Sequence, residues 1–179
     1  IGESAFEGCS SLTSLVLPDS VTSIRNSSFW GCSSLASLVI PDGVTSIGNG
    51  AFVDCGSLKN LVLPESVVSI KGNLFCKWNG EVKCLSPNFI FEDGVLFNKD
   101  KSTIISFRDK DITSYVIPDY VTSIGGDAFS GCESLTSLVI PDSVVSIGDG
   151  AFSHCESLKN IVLPNSLTSI GFCVFQHCR

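Results

Sequence analysis

SLTSLVLPDSVTSI occupies residues 11–24, and SLTSLVIPDSVVSI occupies residues 134–147. The two phrases differ at two positions, and close variants stand between them. The isoleucine that closes the phrase returns as Ile24, Ile47 and Ile70, each 23 residues on, and Ile1 stands one period earlier. After 54 residues come Ile124, Ile147 and Ile170, again at intervals of 23. The long interval holds two units, one of them lengthened by eight residues. The consensus is I-G-x-x-A-F-x-G-C-x-S-L-x-x-L-V-[LI]-P-[DE]-S-V-T-S. A fixed period of 20–29 residues containing L-x-x-L-x-[LI] is the mark of a leucine-rich-repeat solenoid.

Each letter of the phrase has a physical task. Leu12, Leu15 and Leu17 alternate with small or polar residues, as a short strand with one buried face requires. Leu35, Leu38 and Ile40 repeat the pattern, as do Leu135, Leu138 and Ile140. All seven prolines, from Pro18 to Pro164, follow these strands. Proline has no N–H for a further ladder bond, so it ends the strand and turns the chain. Val21 and Ile24 return inward from a second short extended piece. The A-F-x-G-C segment closes the coil as a turn or short helix. There Phe6, Phe29, Phe52, Phe75, Phe129, Phe152 and Phe175 form one aromatic column. A single coil cannot bury its inner face, whereas stacked coils share one core.

The expected architecture is therefore α/β: a curved, right-handed solenoid of 23-residue repeats, mostly short parallel strands with short helical turns. Repeats start at 1, 24, 47, 70, 124, 147 and 170 within one domain spanning residues 1–179. The chain opens inside the pattern and stops inside it. It contains no Met, and it reads as a piece of a longer protein with further repeats or an end-to-end contact between molecules.

The pattern L-x-x-L-x-[LI]-P-x-x-V-x-x-I-x-x-x-A-F-x-G-C resembles the BspA-type leucine-rich repeat over almost the whole chain. The resemblance implies a cell-surface or secreted protein. It also implies adhesion to host proteins, such as extracellular-matrix components, or to other cells. The commoner leucine-rich repeats carry an Asn ladder after the strand; here the Pro and Cys columns stand in its place.

The unit after Ile70 departs furthest. Trp78 takes the Cys position, Glu81, Cys84 and Ser86 stand where apolar strand residues are expected, and Pro87 restores the register. Val95–Phe97 and Thr103–Phe107 read as two strands around the polar turn Asn98–Lys101. A β-hairpin insertion at about residues 91–110 is expected, replacing the A-F-G-C half of a coil. DGVLFNKDKSTII, residues 93–105, is similar to a hairpin element of BspA-type arrays. Seven of the eleven basic residues lie between Lys71 and Lys110, interleaved with acids. Insertions in solenoids often sit on a binding edge, which marks Lys99 and Lys101. A solvated loop of mixed charge explains the same composition.

Strand residues between the inward ones face out. They are Ser14 and Val16, Ser37 and Val39, Asn60 and Val62, Ser114 and Val116, Ser137 and Val139, and Asn160 and Val162. Solenoids bind partners on such faces, and a contiguous apolar stripe marks a protein contact. Valine is also simply a good strand former. The acids after each proline, such as Asp19, Asp42, Glu65, Asp119 and Asp142, are explained by turn chemistry.

Nine cysteines suggest disulfides in a secreted chain. However, Cys9, Cys32, Cys55, Cys132, Cys155 and Cys178 share one repeat position, where buried thiols act as small hydrophobes. Mostly free thiols are expected, with Cys76 and Cys84 the pair to test. His154 and His177 are one repeat apart and should lie side by side. They are weak candidate metal ligands, since two histidines make half a site. No nucleophile elbow, zinc-protease helix, phosphate loop or dinucleotide fingerprint occurs, so no catalytic residue and no cofactor is assigned. The net charge of −7 argues against non-specific nucleic-acid binding. No run of 18 apolar residues exists to span a membrane. The expected role is a non-enzymatic module for a protein partner, with a glycan as a further ligand class. The alternative is a structural spacer in a surface stalk.

Overall fold

The structure, a computed structural model, describes residues 1–108 and 111–179. Each coil contributes two short strands. The first strands of the coils are β1 (Ser14–Leu15), β3 (Ser37–Leu38), β5 (Asn60–Leu63) and β7 (Glu81–Cys84), then β11 (Ser114–Val116), β13 (Ser137–Val139) and β15 (Asn160–Val162). The second strands are β2 (Ser23–Ile24), β4 (Ser46–Ile47), β6 (Ser69–Ile70), β12 (Ser123–Ile124), β14 (Ser146–Ile147) and β16 (Ser169–Ile170). Within each row the pairs are parallel and, β7 apart, offset by one period, for example Ser14↔Ser37, Ser23↔Ser46 and Ser137↔Asn160. The chain forms a β-solenoid of about seven stacked turns.

The α/β expectation needs correction: among the described residues there is no helix, and the A-F-x-G-C segments are turns. The backbone bonds give the reason. Ser4, Phe6 and Gly8 donate to Asn26, Ser28 and Trp30 of the next coil, while Glu7 and Cys9 donate back three residues to Ser4 and Phe6. Alternate amides are thus spent on the neighbouring coil, and an i→i−4 helical ladder cannot form. Positive φ angles at Ser4 (54°) and Gly8 (71°) also interrupt any right-handed helix. The Gly8 position is left-handed in later coils too, at Gly31, Asp54, Lys77, Gly131, His154 and His177.

The P-D-x-V turns are closed by the valine or leucine amide donating to the proline carbonyl, as in Val21 to Pro18 and Val144 to Pro141 at 3.0 and 3.1 Å. At the I-G step, neighbouring coils touch through backbone. An alanine Cβ built on Gly48 would lie 2.5 Å from the Asn26 nitrogen.

The fourth unit is shorter than its neighbours before its first strand. β7 pairs with β5 as Asn60↔Glu81, Leu61↔Val82 and Leu63↔Cys84, an offset of 21. Val82 and Cys84, rather than Glu81, Cys84 and Ser86, are therefore the strand's inward residues, and Pro87 is not the equivalent of Pro64. Trp78 explains the shortening. It is buried in the Cys position, and its indole Nε1–H donates to Leu58 O at 2.6 Å. One large ring fills the space that a Cys and a Leu share in the other coils.

The insertion is a three-stranded antiparallel meander of β8 (Phe89–Glu92), β9 (Val95–Asn98) and β10 (Thr103–Phe107). Strand β8 was not expected from the sequence. Nor does the meander simply replace the A-F-G-C half of a coil. β10 pairs with β12 as Ile104↔Ile124, so it supplies a second-type strand. Asp109 and Lys110, at the end of the expected hairpin, lie outside the described residues.

The core is divided here. One hydrophobic cluster runs from Leu17 to Leu96 and another from Val95 to Val174. Strand β9 stands between them, with Leu96 in the first cluster and Val95 and Phe97 in the second. This is the two-residue alternation of a strand used with a core on both faces. A register irregularity between Ile104 and Ser106 lets Ile104 and Phe107 face the second cluster while Ile105 packs on the first. The aromatic column is correspondingly split. Phe6, Phe29 and Phe52 stack in one row, and Phe107, Phe129, Phe152 and Phe175 in another. Phe75 instead packs against Trp78 and edge-on to Phe91.

Candidate functional site: the exposed strand face

The outward residues of the first strands form two files running along the solenoid axis. One is Ser14, Ser37, Asn60 and Glu81, continued by Ser114, Ser137 and Asn160. The other contains Val62, Lys83, Val116, Val139 and Val162, preceded by Val16 and Val39. All of them are exposed. Exposure reaches 90% at Val16, 78% at Val39 and 80% at Val162, and is lowest at Val62 with 41%. Burying the alternate leucines of each strand forces these valines outward.

The file of valines is interrupted only at the fourth coil, where the 21-residue offset puts Lys83 beside Val62. The same offset brings out Leu85, which is 44% exposed. Leu85 joins Val39, Val62 and Pro64 in a shallow groove of about 370 Å³, bordered by Ser37, Asn60 and Asp42. Leu85 was missed in the sequence. The available signal was the alternation of Val82 and Cys84 exactly two residues apart, 21 positions after Leu61 and Leu63.

Along one border of this face stand Asp19, Asp42, Glu65, Asp119 and Asp142, all exposed. Their turns are closed by backbone bonds, which leaves the carboxylates at the surface.

The meander places the two expected lysines differently. Lys99 is exposed, whereas Lys101 is engaged with Glu92 at 2.6 Å, a hydrogen bond that holds its ammonium pKa above the ordinary value.

None of the nine cysteines is in a disulfide, Cys76 and Cys84 included. In the column, four thiols donate to the phenylalanine carbonyl of the preceding coil. Cys32 bonds to Phe6 at 3.1 Å, Cys55 to Phe29 at 3.1 Å, Cys155 to Phe129 at 3.3 Å and Cys178 to Phe152 at 3.2 Å. Burial pushes Cys55 and Cys155 up to about 12. Cys76, off the column, is pushed up to about 11 by burial. Burial keeps all three protonated, and protonated thiols are not nucleophiles.

His154 and His177 stack with ring centroids 4.5 Å apart and both are exposed. Among the described residues, no group of three or more His, Cys, Asp or Glu is gathered as a metal centre would need. Among the same residues, no helix is long and apolar enough to cross a membrane.

Stacked 23-residue coils with an inward leucine ladder define a leucine-rich-repeat solenoid. The chain belongs to the BspA type leucine rich repeat family, whose profile matches in six copies over residues 1–90 and 104–179. No curated protein matches the sequence. Among solved structures, it is similar to a leucine-rich repeat protein from Eubacterium ventriosum. That match has 25% identity and a TM-score of 0.65, covering 93% of this chain and 58% of the other. The pneumococcal vaccine antigen PcpA shares the fold at 24% identity and a TM-score of 0.66, over 87% of this chain and 51% of that one. A leucine rich cell surface protein from Faecalibacterium prausnitzii does so at 24% and 0.64, over 99% of this chain and 60% of its own. The chain thus spans between half and two thirds of the length of these relatives.

Proposed function

We propose that this segment is a non-enzymatic binding module of a cell-surface or secreted protein, engaging a protein partner through the exposed strand face. The observation that carries the reading is the file of outward valines. Six apolar side chains, three on each side of Lys83, present an apolar surface that burial of the core does not require. The acidic border favours a partner with an apolar centre and a basic rim, since complementary charge steers encounter and fixes register. Lys99 on the meander and Lys83 in the gap add local positive points. The partner class proposed, as the BspA-type resemblance implies, is a host extracellular-matrix or cell-surface protein. A glycan is the second ligand class for this face.

The test is to measure binding of Val62→Asp and Val139→Asp variants to a panel of immobilised extracellular-matrix proteins. Loss of about tenfold or more in affinity with an unchanged melting curve supports the module, in line with truncations at interface centres. Binding that survives both substitutions removes the strand face from the proposal. Failure of the unsubstituted chain to bind any member favours the other reading, a stalk segment that displays further domains.

A further inference from the structure

The turn edge of the solenoid carries a recess of about 310 Å³ on the far side of the coil from the leucine strands. Its lining runs from Ser27 and Trp30 of the second coil to Ser153 and His154 of the coil that starts at residue 147. Asn49 reaches across the fourth coil and its Nδ2 donates to Asp127 Oδ2 at 2.7 Å, a contact between residues 78 apart. Asp127 therefore faces this recess with one oxygen fixed. Its other oxygen occupies space that only a glycine at position 150 leaves open, since a Cβ there would collide with Oδ1.

Asp127 is only partly exposed, and burial raises its pKa from the ordinary value. Asn49 offsets part of that and Asp149 adds to it; no ion pair to Asp127 is found among the described residues. Of the basic groups lining the recess, Lys77 is turned to Glu133 at 3.4 Å, and His154 is stacked on His177. Ser130 and Ser153 share a hydrogen bond of 2.9 Å on the floor, and Trp30, 46% exposed, stands on the rim.

A partly desolvated carboxylate without a counter-ion gains most from a cation that brings its own donors. A guanidinium suits this better than an ammonium, being weakly hydrated, planar and able to stack on an indole. With no three-ligand group among the described residues, a metal ion does not fit. We propose that this recess receives a basic side chain, arginine before lysine, presented by a protein partner, with Asp127 as the counter-charge. The site is separate from the valine face and stands or falls independently of it.

The experiment titrates acetyl-Gly-Arg-Gly-amide into ¹⁵N-labelled protein, with the Lys, citrulline and Glu counterparts alongside. It follows the Asn49 side-chain amide, the Ser130 and Gly150 amides and the Trp30 indole. The Arg peptide should shift these signals saturably and more weakly as salt is raised. Asp127→Asn should weaken it about tenfold or more. Ser130→Leu, which fills the floor and leaves the carboxylate, should do the same and serves if Asp127→Asn does not fold. The proposal is overturned if citrulline binds as well as arginine, or if Asp127→Asn and Ser130→Leu both bind like the parent. Absence of any saturable shift overturns it too. So does a neutral trisaccharide shifting the same signals in place of the peptide. Spermidine binding more tightly than the peptide would assign the recess to a free polyamine and end the partner-side-chain reading.

Discussion

The Cys55 thiol hydrogen-bonds to the Phe29 carbonyl 26 residues back, and burial holds it protonated, up to about 12. Its unfolded counterpart ionises near the ordinary 9.0, so between about pH 9 and 12 the folded chain holds more protons than the unfolded one. Stability must therefore fall as pH rises through that window. Urea melts at pH 8 and pH 11 should show this, with a smaller drop when Cys55 and Cys155 are both alanine. At pH 8, a thiol reagent should modify the exposed Cys9 and Cys173 quickly and spare Cys55 and Cys155 until unfolding. The glycines act at the same scale. Gly48→Ala should cost about 1–3 kcal/mol in chemical denaturation, the usual range for overpacking, because the new methyl meets the backbone of the coil above it.

Among elements, the regular strands were fully legible in the sequence. Each one's environment is another copy of itself 23 residues away, so Leu15 and Leu38 report the same surroundings. The turns were misread as helical because the A-F-x-G-C words say nothing about where their amides go. The cross-coil bonds of Ser4, Phe6 and Gly8 are visible only once the coils are stacked. The fourth unit was misaligned because Pro87 matches the period by count while Trp78 has already removed two residues. Trp78→Ala should cost about 3–5 kcal/mol, the range for truncating a buried aromatic, and it also strips the donor from Leu58 O. A thermal melt measures it; a loss below about 1 kcal/mol would mean the ring is not what holds the shortened coil. On the candidate site, the valine file was legible from alternation alone, whereas Leu85 and the engaged state of Lys101 depended on the offset and on the meander's pairing.

Across the whole molecule, the two cores are joined by few polar links. Asn73 Nδ2 donates to Phe107 O and Ala128 O, both at 3.2 Å, and Ser106 Oγ donates to Asn73 Oδ1 at 2.6 Å. Asn73 and Ser106 are both buried. Stability in such arrays is close to a sum of unit and nearest-neighbour interface contributions. Asn73→Leu should weaken one interface and leave the units intact. The expected outcome is a single unfolding transition becoming two in calorimetry, with hydrogen exchange protecting one half longer than the other. A single transition merely shifted to lower temperature would show that the meander alone couples the halves.

Because β9 shows Leu96 to one cluster and Val95 and Phe97 to the other, it is a party wall: each side is furnished independently. Coils added or lost beyond either neighbour leave the wall's own contacts untouched. An array built this way can change length by whole units on either flank without renegotiating its centre.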